Sequence, residues 1–167
     1  MDTNIKPINN YRLGATAYII DPEEKLLLLV QQNDYMDNQW ALPGGGRIKN
    51  ETPIQNITRE IQEELSAKAK DYNIIGISCS KLQYDFPRSM VIARQPIALK
   101  YKGQKKYQVL IYANSKEFHI VLDKNELRNY KWVSIDDLNN YMIFPGQYES
   151  AINIINEFKV LSSLKTE

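Results

Sequence analysis

The chain has 167 residues, 43% apolar and 25% charged, which is close to the average of a soluble globular protein and long enough to bury a sizeable core. It reads as one domain over residues 1–167, with its core over about 11–160. Lysine and arginine number 21 against 20 aspartates and glutamates, so the net charge of +1 excludes a protein that coats nucleic acid through bulk charge. Any charge-based function is therefore local. The single cysteine, Cys79, excludes an internal disulfide, and the single histidine, His119, excludes a multi-histidine metal site. The opening MDTNIKPINN lacks the apolar stretch of a signal peptide. The longest aliphatic run, Leu26 to Val30, falls far short of the roughly 20 residues of a membrane helix. The expected setting is the reducing cytoplasm, without membrane attachment.

Tyr11 to Ile20 is rich in β-formers and ends at Asp21-Pro22-Glu23-Glu24, and Leu26 to Gln32 is a second apolar run of strand length, so the two read as a hairpin. A polar loop, Asn33 to Gln39, leads through Trp40-Ala41-Leu42 to Pro43-Gly44-Gly45-Gly46, where consecutive glycines let the backbone approach a ligand closely. From Thr52 the period changes. Ile54, Ile57, Ile61 and Leu65 form a helical stripe, with Thr52 as N-cap and Pro53 in the first helical position. Asn73 to Phe86, Ile97 to Lys102, Tyr107 to Ala113 and Tyr130 to Val133 read as strands. Ser134 caps a short helix, and Tyr148 to Leu161 carries apolar residues at helical spacing. The mixture gives α+β or α/β. Cys79 reads as packing within an apolar strand rather than as a nucleophile, His119 as a strand residue, and Trp40 and Trp132 as core.

On the Thr52 helix, Glu60, Glu63 and Glu64 stand at i, i+3 and i+4 and project into one sector, beside the isoleucine stripe. Three glutamates alone fit a solvated acidic face better than a site. They also suit a hard cation such as Mg²⁺, which takes oxygen ligands and offsets the mutual repulsion of carboxylates. The surrounding pattern separates the two readings. Gly45, five residues, Glu51, seven residues, then Arg59-Glu60-Ile61-Gln62-Glu63-Glu64 resembles the Nudix box of the Nudix hydrolases, departing from it at Ser66, where that family has glycine, and at Ala67. The resemblance implies an α/β/α sandwich with a mixed β-sheet, in which the box forms loop–helix–loop. It implies a hydrolase of phosphoanhydride bonds dependent on Mg²⁺ or Mn²⁺, with Gly45, Glu60, Glu63 and Glu64 as metal ligands and Glu51 and Arg59 bracing the loop. It places Glu63, Glu64 and Arg59 in the catalytic machinery.

A second resemblance, to the bacterial RNA pyrophosphohydrolases and the plant-type dinucleoside tetraphosphate hydrolases, rests on Tyr11-Arg12, Tyr84-Asp85-Phe86-Pro87, Gly103-Gln104-Lys105, and Glu126 six residues before Trp132. That branch has Pro-Gln-Gly-Gly where this chain has Pro43-Gly44-Gly45-Gly46, and a basic stretch where it has Phe144-Pro145-Gly146. The resemblance implies Glu126 as a further catalytic group and Arg12, Tyr84, Phe86, Lys105 and Lys106 as substrate-binding residues. Residues 81–107 carry seven basic side chains (Lys81, Arg88, Arg94, Lys100, Lys102, Lys105, Lys106) and one acid, Asp85, a local charge of +6 suited to phosphate. The substrate expected is a nucleotide or dinucleoside polyphosphate, including the 5′ end of RNA. A hydrolase of nucleotide sugars or other nucleoside diphosphate conjugates, and a Nudix-fold module that binds without catalysis, are the alternatives.

Overall fold

The computed structural model describes residues 10–164, with side chains through 159; the first nine residues, read above for a leader, lie outside them. Strands β1 (Tyr11–Asp21) and β2 (Leu26–Gln32) form the expected hairpin, with Ile20 opposite Leu27. Asp21 holds the turn: one carboxylate oxygen accepts the backbone N–H groups of Glu23 and Glu24, and the other accepts that of Ser115. Strand β3 (Gly44–Gly46) pairs antiparallel with β1 from its other end, so that Gly46 faces Gly14. Helix α1 (Pro53–Leu65) starts in a full capping box, in which Thr52 Oγ1 accepts from Gln55 N–H and the Gln55 amide oxygen accepts from Thr52 N–H.

The remaining elements are β4 (Asn73–Asp85), two five-residue helices α2 (Arg88–Ile92) and α3 (Pro96–Lys100), β5 (Gly103–Tyr112), β6 (Leu127–Ser134), a 3₁₀ turn over Ile135–Asn140, and α4 (Gln147–Leu164). The sheet order is β4-β5-β1-β2-β6, and β1 runs parallel to β5 while its other neighbours are antiparallel. Alternation along β1 divides the core. Ala15, Ala17 and Ile19 pack with Ile57, Ile61 and Leu65 of α1 on one face. Tyr18 and Ile20 pack with Ala151, Ile154, Ile155 and Phe158 of α4 on the other. The result is an α/β/α sandwich on a mixed sheet.

Three expectations change. Residues 97–102 are not a strand: Pro96 opens α3 at its first position, and Ala98 is buried beneath it. Cys79 is exposed on the outer edge of β4, where the register with β5 breaks between Ile77 and Lys81 and lifts the chain out of the ladder. His119 lies in the irregular connection between β5 and β6, held there by turns at Asn114 and Asp123 rather than by a ladder.

Candidate active site

The site is built where β3 meets the acidic side of α1. Arg59 is its hub. It grips Glu51 with two parallel bonds (Nε to Oε1, 2.7 Å; Nη2 to Oε2, 3.0 Å), donates Nη1 to Glu60 and to Glu63 at 2.9 Å each, and donates Nη2 to the Gly46 carbonyl at 2.9 Å. The loop before the helix is thus clamped to the helix itself. The hydrogen bonds from Arg59 and from the Ile48 N–H hold the Glu51 carboxyl at about 2, well below the ordinary range. Arg59 also relieves the repulsion that the glutamate spacing predicts, a role the sequence pattern had not assigned to it.

Glu64 is treated differently. Only 5% exposed, it accepts the Gly44 N–H at 2.9 Å, and burial pushes its pKa up to about 8 against the pull of that bond, with the charges of Glu60 and Glu126 adding to the rise. Burial likewise raises Glu60, against Arg59, with Glu63 and Glu126 contributing. Glu126 therefore comes within electrostatic reach of both buried helix carboxylates, although it lies about 60 residues along the chain. Backbone stitching delivers it: Val121 N–H bonds Leu65 O, Asp123 N–H bonds Glu64 O, and Glu126 O accepts from Asn33 N–H. Ser66 fills the glycine position of the box in the left-handed region (φ 57°), and its hydroxyl donates to Val121 O at 2.9 Å, so the departure becomes part of the stitching.

Gly45 lies against Glu60 so closely that a Cβ would stand 2.6 Å from the carboxylate. The Arg12 guanidinium occupies the space over Gly46. Register puts Arg12, Lys106 and Tyr84 on one face of the sheet, because Gly14 pairs with Lys106, Arg12 with Gln104, and Gln104 with Tyr84. Burial lowers the Lys106 pKa, countered chiefly by Glu64, and Arg12 is the next influence. Lys106 lies within electrostatic reach of Glu64, Glu60 and Arg12, Tyr84 within reach of Arg12, and Glu126 within reach of Glu64, with Glu63 beside Glu60 on Arg59. Lys105 pairs with Leu13 and Gln83, on the other face of the sheet from Arg12 and Lys106. Phe86 is 8% exposed and has no face to offer a base.

A cleft of about 350 Å³ opens beside Glu126, lined also by Gln32, Asn33, Asp34, Asn125 and Leu127. Next to it stands Tyr35, which the sequence reading missed. Burial pushes its pKa to about 12, with the Tyr84 hydroxyl and Asp34 adding, and its ring meets Phe144 edge-on at 5.5 Å. Arg128 fixes the loop by donating to Tyr35 O and to Asp37. In sequence Tyr35 sits in a polar loop; the one signal was an aromatic residue inside that loop.

The NUDIX domain family matches residues 10–153 of this chain. The chain belongs to the Nudix family. Among curated relatives of this Nudix chain, the RNA pyrophosphohydrolase of Francisella tularensis subsp. tularensis is 28% identical over 155 residues, covering 90% of this chain and 96% of that one. The protein of the same name from Francisella philomiragia is 32% identical over the same shares. Among solved structures, the Escherichia coli dihydroneopterin triphosphate pyrophosphohydrolase has a TM-score of 0.67 at 17% identity, covering 89% of this chain and 99% of that one. A Caenorhabditis elegans Ap4A hydrolase complex has a TM-score of 0.67 at 20% identity, covering 89% and 98%. These two share the fold.

Proposed function

We propose that this Nudix protein is a divalent-cation-dependent hydrolase that opens a diphosphate linkage in a nucleoside polyphosphate or at a 5′-phosphorylated RNA end. That it hydrolyses phosphoanhydride bonds follows from its family and its pyrophosphohydrolase relatives. The substrate reading rests on one observation: acidic Glu60, Glu64 and Glu126 and basic Arg12 and Lys106 meet at one end of the sheet.

Among the described residues no three acidic, histidine or cysteine side chains stand in an arrangement that could hold a metal ion. The donor chemistry nevertheless fits a hard cation. The carboxylates supply only oxygen, burial raises the proton affinity of Glu60 and Glu64, with Glu60 adding to the rise at Glu64, and Gly45 leaves backbone and carboxylate in direct approach. Glu60, Glu63, Glu64 and the Gly45 carbonyl would hold Mg²⁺ or Mn²⁺, which when bound neutralises phosphate charge and lowers the pKa of water. The chain's own groups do the rest. Arg12 and Lys106 bind the non-bridging phosphate oxygens and orient the linkage, Arg59 holds Glu60 and Glu63 in place, and the Glu126 carboxylate takes the proton of the attacking water. Tyr84 and Tyr35 border the space for a base. The exposed, unpaired Cys79 suits a reducing cytoplasm.

The deciding experiment is a Mg²⁺ and Mn²⁺ panel of 5′-triphosphate RNA, dinucleoside tetraphosphate, nucleoside triphosphates and nucleotide sugars, read by product mass. Turnover of the first three classes above nucleotide sugars supports the proposal. Preference for nucleotide sugars moves the chain to the conjugate hydrolases, and absence of metal-stimulated turnover makes it a binding module.

A further inference from the structure

The excursion that carries α2 and α3 between β4 and β5 takes no part in the site described above. From Phe86 to Lys116 the chain contains no acidic residue. Arg88, Arg94 and Lys100 are exposed, and none of them forms an ion pair among the described residues, whereas Lys102 is paired with Asp85 at 3.2 Å. Between these cations, Val91, Ile92 and Leu99 are 50%, 70% and 54% exposed. A surface that leaves cations without an acidic partner and large apolar groups in water is suited to a polyanion with apolar faces.

Its place in the fold says where that polyanion runs. The excursion leaves the sheet just after Tyr84 and Asp85 and returns at Gly103, which lies opposite Tyr11 and Asp85. Lys102 N–H ties the return to Asn10 O. The ridge therefore adjoins the sheet end that presents Arg12 and Tyr84. A polymer entering by its phosphorylated end would lie across it, with phosphates against the cations and base faces against the apolar side chains.

We propose that the α2–α3 ridge is a docking track for single-stranded RNA downstream of its 5′ end. This rests on the RNA-end form of the proposed reaction, and it makes the protein favour oligonucleotides over mononucleotides by binding rather than by chemistry.

The test uses a triple variant, Arg88→Ala with Arg94→Ala and Lys100→Ala, and a 12-nucleotide single-stranded RNA with a 5′-hydroxyl, which offers the reactive site no terminal phosphate. By fluorescence anisotropy the variant is expected to bind this RNA about tenfold more weakly, with a log K against log salt slope flatter by about 2, as loss of three phosphate contacts to a single strand requires. On the 5′-triphosphorylated 12-mer its KM rises by a similar factor at unchanged kcat, while its kinetics with a nucleoside triphosphate are unchanged. Equal RNA affinity and KM in variant and wild type overturn the track while leaving the hydrolase reading intact. A wild-type protein that binds the 12-mer through these residues but hydrolyses only free nucleotides overturns the RNA-end reading and supports the track. Absence of RNA binding together with variant-sensitive binding to phosphatidylserine vesicles overturns it in favour of a lipid surface.

Discussion

Gly45 and Glu60 meet with no room between them: the space a Cβ would take at residue 45 lies 2.6 Å from the carboxylate. Main chain from β3 and a carboxylate from α1 thus form one wall of the site, and the box begins with glycine because any side chain would displace the acid. Gly45→Ala is expected to lower kcat by about 100-fold or more, the scale of losing one well-placed charged group. The helix should survive, since its cap and its buried stripe lie elsewhere. Kinetics and circular dichroism on the same sample check it; wild-type kcat would show that Glu60 tolerates displacement.

Glu64→Gln and Glu63→Gln test the carboxylates themselves. Each keeps its shape and removes a charged oxygen, so turnover is expected to fall by about 100-fold or more at saturating Mg²⁺. Stability should not fall with it at Glu64, where the amide keeps an acceptor for the Gly44 N–H and carries no charge for burial to penalise. Thermal unfolding beside kcat separates the two effects.

Glu126→Gln probes the most distant member. A base that takes a proton from water contributes about 10² to 10⁴ in rate, so kcat should drop on that scale with KM little changed. A kcat within about twofold of wild type would leave Glu126 as cleft lining only.

The box serine makes opposite predictions for two substitutions. Ser66 sits at φ 57°, a conformation costing a non-glycine residue about 1–2 kcal/mol, and its hydroxyl bond to Val121 O returns about 0.5–1.5 kcal/mol. Ser66→Ala keeps the cost and loses the bond, so the melting temperature should fall. Ser66→Gly loses both, and its melting temperature should lie at or above that of wild type. Differential scanning calorimetry on the pair decides.

Asp21 sets part of the acid limb. Burial pushes its carboxyl up, but the N–H groups of Glu24, Ser115 and Glu23 prevail and bring it from 3.8 to about 2. A pKa depressed in the folded state contributes stability that is complete above the unfolded value and disappears as pH falls through the folded one. Asp21→Asn should therefore be less stable than wild type at neutral pH, with the difference shrinking between about pH 4 and pH 2. A constant difference across that window, measured by urea unfolding, would show that the carboxylate charge is not what holds the turn.

The elements with strong local signals were legible in the sequence. The hairpin around Asp21, the capped helix from Pro53 and the long strand β4 each carry their own periodicity or punctuation, and they formed where read. Residues 97–102 were not legible, because their apolar content fits strand and helix alike and only Pro96 speaks for the helix. In the site, the box glutamates and Arg59 were legible through the resemblance to the Nudix box, not through the glutamate spacing by itself. Lys105 and Lys106 cannot be told apart by composition, and only the pairing of β5 with β1 sends Lys106 to the Arg12 face. Tyr35 escaped notice because its neighbours are polar and its partner Phe144 is more than a hundred residues away.

Strand β4 is the outer strand of its sheet, thirteen residues long, with Ile74, Ile75 and Ile77 between 37% and 40% exposed, a combination that invites another chain to add itself. The register shifts after Ile74 and after Ile77 break that invitation into short pieces, and Glu157 of α4 occupies the Cys79 N–H in the middle of the strand. The irregularity that exposes Cys79 thereby shortens the open edge: a straightened β4 would offer another strand one long, unbroken row of isoleucines and backbone groups.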